Sequence, residues 1–324
     1  MNVRAAAPAI RSLALAAGMA SALTGCAGRP RLVADASAPG ASDVRWACHD
    51  SLLVVALRGW GVSLVDSWSG SERSAFRLPT VPPHAARGVD VSAAGETLAV
   101  ATADSVRVFA TRGLRPLFVT PGNAATLALS SDGAQLLWTD GSLGRLLEVP
   151  TGRVPWQGSL AAQPGALVWA QPLARFVVPL DLRVISAAEA DWPSFTLDTF
   201  EGARPWKLAV PAAGTSLAVA ESTMHVSIWD LPSKHFRRRL VLGGAGRLEH
   251  IALSRDARLL ATSLGGRARV MWARNGRAVA DWAPHGGAEV EDLAFASDGL
   301  RLATVGANGS VRTWAMPAAP GGHR

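Results

Sequence analysis

The chain has 324 residues, 49% of them hydrophobic, with 32 Lys and Arg against 25 Asp and Glu. That modest positive excess favours anionic neighbours such as lipid headgroups or envelope polymers and says little about fold. Two cysteines leave no room for a disulfide framework, and 12 tryptophans stand beside a complete absence of tyrosine.

Residues Met1 to Gly25 combine Arg4 and Arg11 with an apolar core from Leu13 to Leu23. They read as an export signal, because that core is shorter than the ~20 residues a spanning helix needs. The tetrapeptide Leu23-Thr24-Gly25-Cys26 resembles the bacterial lipobox, which implies that Cys26 becomes the lipidated first residue of the mature protein. Ala27 follows it in place of Asp, which implies the outer membrane, facing the periplasm. Export makes nucleic acid a poor partner. With Cys26 taken by lipid, Cys48 has no partner and is expected to be a buried structural thiol.

Residues 26–42 are small and punctuated by Pro and Gly, with one apolar run, Arg31-Leu32-Val33-Ala34. They can act as a tether. From Asp43 onward one phrase recurs: an apolar-x-apolar triplet, a small-residue turn, a second strand, a turn and a third strand. Apolar residues at alternate positions suit a pleated surface, and the turns carry hairpin residues. The triplets are Val44-Arg45-Trp46, Val89-Asp90-Val91, Leu127-Ala128-Leu129, Leu167-Val168-Trp169, Leu208-Ala209-Val210, Ile251-Ala252-Leu253 and Leu293-Ala294-Phe295. Their turn positions, Asp50, Gly95, Gly133, Leu173, Gly214, Ala257 and Gly299, repeat at roughly 38 to 45 residues, the period of propeller blades. Blades are expected at about Asp43–Leu78, Arg87–Val119, Ala124–Gln157, Gly165–Leu197, Arg204–Leu242, Arg247–Trp282 and Glu289–Met316. The expected fold is therefore all-β, a seven-bladed propeller of four-stranded antiparallel blades over residues 43–316, followed by a disordered tail, 317–324.

The repeats resemble the WD-repeat family. Trp229-Asp230 reproduces its dipeptide, Ser131-Asp132-Gly133 and Ser297-Asp298-Gly299 resemble its turn, and Ala261-Thr262-Ser263 and Ala303-Thr304-Val305 its second strand. His285 sits near the family's His, and Asn308 takes the place of its turn Asp, six residues before Trp314. Trp272 and Trp314 are followed by Ala, a departure from the dipeptide. The last repeat ends without a fourth strand, since the prolines after Met316 cannot donate to a ladder. In WD-repeat propellers an N-terminal strand fills that vacancy, so residues near Arg31 to Ala34 are expected to close the ring.

Catalytic motifs are thin. There is no H-E-x-x-H, G-x-S-x-G, paired C-x-x-C or phosphate loop, and the central residues of the triplets promise no convergent carboxylate or imidazole set. No catalytic residue, metal or cofactor is therefore assigned. Loops at one end of the blades carry the candidate protein-binding residues Trp60, His84, Arg87, Asp140, Asp181, Trp206, His225, His250, His285 and Glu289. Trp60, between Gly59 and Gly61, is the most suggestive, because aromatics anchor interfaces. Lys234, Arg237, Arg238 and Arg239 form the densest basic run, suited to a charged outer edge or to contact with an anionic surface. The expected function is a membrane-anchored, monomeric, non-enzymatic scaffold that binds an envelope protein or peptide. The alternative is a propeller hydrolase or quinoprotein-like enzyme acting on a small periplasmic substrate.

Overall fold

The computed structural model describes residues 28–58, 61–77, 87–140, 142–159, 167–170, 175–178, 183–185, 205–211, 214–221, 224–233, 235–242 and 248–317. They form an all-β propeller of antiparallel blades, six of them four-stranded. The inner strands of these six are Ala41–Ala47, Gly88–Val91, Thr126–Leu129, Pro205–Ala209, His250–Leu253 and Val290–Phe295. Six complete blades thus stand where the repeat spacing predicts seven. The difference falls in the repeat Gly165–Leu197, where Val168–Ala170, Arg175–Val178 and Arg183–Ile185 form a three-stranded sheet. The residues that follow it, 186–204, lie outside the described residues. The position of this repeat that aligns with the turns of the others, Leu173, also lies outside the described residues.

That turn is what the repeats share most closely. Asp50, Gly95, Gly133, Gly214, Ala257 and Gly299 all have φ between 55° and 74°. In each of the last five, the amide hydrogen-bonds a carbonyl three residues back, as in Gly95 N to Ser92 O and Ala257 N to Ser254 O. Glycine takes this conformation freely, whereas Asp50 and Ala257 adopt it against the steric preference of an L side chain. Tertiary packing has imposed one geometry on six unlike sequences.

The core lies between blades. Val44, Leu53 and Val55 of the first blade pack with Val305 and Val311 of the last. Val54 and Val62 pack on Val89 and Val100 of the second, and Ala261 and Val270 on Leu293 and Leu302. Each large side chain so buried contributes roughly 1.5 to 3 kcal/mol. Phe109, Trp229 and Trp314, at the ends of third strands, are buried as packing residues, while Trp272 is half-buried. Cys48 is buried and free, with Sγ 3.6 Å from the Gly95 carbonyl.

The N-terminal strand Arg31–Ser37 pairs antiparallel with the last strand, Ser310–Ala315, from Arg31 opposite Ala315 to Ser37 opposite Ser310. It takes the outer place in the sheet whose other strands are Val290–Phe295, Arg301–Gly306 and Ser310–Ala315. An edge that would otherwise expose its ladder groups is covered by the start of the same chain. Backbone bonds also define two faces. Loops entering the inner strands bond to those between second and third strands, as in Arg87 N to Ala101 O and Ala307 N to Glu289 O, which makes a loop face. The left-handed turns lie at the other ends of the inner strands, on a turn face.

Candidate functional site

One register position governs the central channel. The residue just before each inner triplet is Asp43, Lys207, His250 or Asp292 in four repeats, and ring packing brings these together with Arg45 and Asp90. Arg45 Nη1 lies 2.7 Å from Asp292 Oδ2 and 2.8 Å from Asp43 Oδ1, and its Nε lies 3.8 Å from Asp90 Oδ1. One guanidinium thereby joins carboxylates of the last, first and second blades. The carboxylates also reach the backbone of neighbouring blades: Val44 N donates to Asp292 Oδ2 at 3.0 Å, and Leu129 N to Asp90 Oδ2 at 2.8 Å. On the same wall, Trp46 Nε1 donates to the Ala294 carbonyl at 2.8 Å.

Protonation in this cluster is uneven. Burial, with Asp292 beside it, pushes the Asp43 carboxyl well above the usual range against the pull of Arg45, and Asp43 hydrogen-bonds Asp292. Burial opposes charge on Asp292 too, yet Arg45 and the hydrogen bonds from His250 and Asp43 hold it well below that range. The two carboxyls behave as one acid and one carboxylate, because like charges in contact do not both ionise. Asp90 is raised by burial, with Arg45 and the Leu129 amide working against the shift. His250 Nδ1 stands 3.3 Å from Asp292 Oδ1.

Of these groups Arg45, Asp90 and Asp292 border a cavity of about 330 Å³ whose apolar wall includes Trp46, Leu129, Trp169 and Phe295. Among the described residues, no group of three His, Cys, Asp or Glu side chains is arranged to hold a metal ion. Apart from Asp90, the acids and the imidazole that meet here lie outside the triplet centres, which are all that the sequence expectation covered. Asp43, Asp292 and His250 precede the triplets, and the apolar alternation drew attention to the triplet centres alone. Aligning the repeats one residue earlier would have found them.

Those of the predicted loop residues that are described do not gather into a second site. Arg87 is exposed and donates to Asn123 Oδ1 at 2.6 Å, Asp140 pairs with Arg145 at 3.9 Å, His225 is half-buried, and Glu289 is exposed. Among the described residues of this set, only His250 joins the channel cluster. Trp206 belongs to the strand Pro205–Ala209. Cys26, Trp60, His84, Asp181 and Lys234 lie outside the described residues. In the basic run, Arg237 is paired with Asp230 and Arg239 with Glu221, which leaves Arg238 exposed on the same strand.

His285 is buried rather than presented. Its Nδ1 lies 2.6 Å from Ser310 Oγ, which donates to Asn308 Oδ1 at 2.7 Å, and Trp314 Nε1 donates to Thr304 Oγ1 at 2.9 Å in the same blade. A Cβ at Gly306 would stand 2.4 Å from the His285 ring, so glycine is required for the ring to fit. Burial, with Arg312 nearby, lowers the His285 pKa from 6.5 to about 4. The unfolded chain then binds the proton that the folded one refuses, and stability falls as pH drops from about 6.5 towards 4. The difference amounts to roughly 3 kcal/mol. Urea titrations at several pH values should show that slope in the native chain and its loss in His285→Gln; an unchanged slope would assign it elsewhere.

No family model matches the chain, and no curated protein matches it.

Proposed function

We propose that the protein is a seven-bladed WD-repeat propeller, exported and held to the outer membrane by a lipid on Cys26, that serves as a non-enzymatic scaffold for an envelope protein or extended peptide. The three-stranded sheet is read as the inner part of the seventh blade, since Leu167, Val168 and Trp169 line the channel with the other inner strands. The His285–Ser310–Asn308 chain and the Trp314–Thr304 bond support the family reading, because they join the residues through which the last repeat resembles it. The leader and lipobox rest on the sequence of residues 1–26.

One observation carries the scaffold reading. Arg45 ties three blades through Asp43, Asp90 and Asp292, so the charges in the channel hold the ring together. A rigid ring leaves its loops as the adaptable part, and a lipid tether raises their local concentration at one surface.

Affinity capture from native membranes tests this. Charge reversal at two exposed loop-face positions, Arg87→Glu and Glu289→Arg, should reduce a co-purifying protein about tenfold, while Arg238→Glu on the outer edge should leave it in place. Equal recovery from all three variants would reject the loop face as the binding surface.

A second reading, a propeller hydrolase or quinoprotein-like enzyme, is favoured by the Asp292 carboxylate, which lines the cavity and is hydrogen-bonded from behind by the Asp43 acid. A small molecule that co-purifies with the native chain and is lost in Asp43→Ala would favour it.

A further inference from the structure

We infer that the turn face at the junction of the first and last blades, centred on Trp68 and Leu300, lies against the lipid bilayer, so that the loop face points away from it. The inference rests on the lipid-anchor reading of Cys26 and adds to it the orientation of the propeller.

Its first support is the path of the chain. The N-terminal strand starts at the turn face, where Arg31 pairs with Ala315, and finishes at the loop face, where Ala38 N bonds Gly309 O. Gly28 abuts Pro317, since a Cβ on Gly28 would fall 2.6 Å from the Pro317 Cβ. Two peptide units join Cys26 to Gly28 and span at most about 7 Å. An acyl chain on Cys26 therefore enters the bilayer beside this corner of the propeller.

The second support is what that corner exposes. Met316 N donates to the Leu300 carbonyl at 2.8 Å, and the Leu300 side chain is 65% exposed. The next residue, Arg301, is buried with its guanidinium 4.9 Å from the Trp46 ring and 4.5 Å from the Trp68 ring. Asp298 Oδ2 accepts from Arg301 Nε at 3.0 Å, which neutralises that charge locally. Trp68 forms the outer layer of the stack and is itself 60% exposed. Asp66 Oδ1 accepts from the amides of Trp68 and Ser69, which fixes the turn that carries it.

An outward tryptophan and leucine on a rigid base suit the bilayer interface, where an amphipathic ring sits at headgroup level. Arg29, on the connecting segment, and Arg31, the first residue of the N-terminal strand, are both exposed and add cations where anionic headgroups would meet them. A strand of six or seven residues rises roughly 20 Å, so the loop face would stand about that far off the headgroups. It would be open to partners in solution.

The test uses the full chain with its own leader, extracted from membranes and reconstituted in phosphatidylethanolamine and phosphatidylglycerol vesicles with brominated acyl chains. A bimane label is placed at Leu300→Cys, Trp68→Cys or, on the loop face, Asn308→Cys, each with Cys48→Ala. Quenching at 300 and 68 should exceed that at 308 by about threefold or more. Two turn-face sites guard against a label that disturbs its own surroundings. Equal quenching at all three, or stronger quenching at 308, would overturn the orientation. The mass of the N-terminal peptide separates the two failures. An acylated Cys26 with equal quenching rejects the orientation alone, whereas an unmodified Cys26 rejects the anchor and the orientation with it.

Discussion

Deleting residues 28–37 should abolish the single cooperative unfolding transition and drive the protein to associate. The deletion removes a strand held in register from Arg31 to Ser37, whose own Ala34 and Ala36 are buried. About half a dozen backbone hydrogen bonds at roughly 1 kcal/mol each are lost, and the last third strand gains an open edge of the kind that pairs with other chains. A loss of about 5 kcal/mol or more would consume much of the 5 to 15 kcal/mol by which a domain is ordinarily stable. Ala36 also packs in the cluster that joins the last blade to the first, so the closure of the ring weakens with the strand. Urea unfolding and size-exclusion chromatography check this. An unchanged midpoint with a monomeric elution would show that the strand is an accessory, and adding a peptide of residues 28–40 should restore part of the transition if pairing alone is what is missing.

Asp292→Ala should cost about 3 kcal/mol, the second largest effect expected. It strips the acceptor from the Val44 amide and the nearest carboxylate from Arg45, and it removes the partner of His250. The loss is limited because Asp43, freed from its neighbour, can ionise and face Arg45. In the native chain Asp43 is raised, so it keeps a proton that the unfolded chain has released. Its contribution is complete below the ordinary carboxylate range and declines as pH rises through its folded value. Asp292 is depressed; its contribution is present at neutral pH and is lost only in strong acid. Asp43→Asn, which keeps a donor and cannot ionise, should therefore match the native chain near pH 4 and exceed it at pH 8. Urea midpoints at the two pH values decide; the reverse order would mean that Asp43 is charged in the folded protein.

Much of the fold was legible without coordinates, and particular residues show why. The apolar triplets and the turn positions are local signals: a pleated strand needs alternation, and a tight turn needs a residue that tolerates positive φ. Asp50 and Ala257 were aligned with glycines by position in the repeat, and they share the conformation. The closing strand was legible as well, because the prolines after Met316 left a vacancy that the run around Arg31 could fill. The repeat with Leu173 was the least informative, and there three strands stand among the described residues where four were expected.

The site was another matter. The sequence by itself determined that this chain builds strands of one kind, joined by turns of one kind, with an apolar side to bury. Tertiary structure alone decided which charges meet, since Arg45 and Asp292 are 247 positions apart along the chain and 2.7 Å apart in space. Strand periodicity reports which side of a sheet a residue occupies, an outcome of local geometry. It cannot report which sheet will lie opposite, and in a closed ring the first and last blades become neighbours.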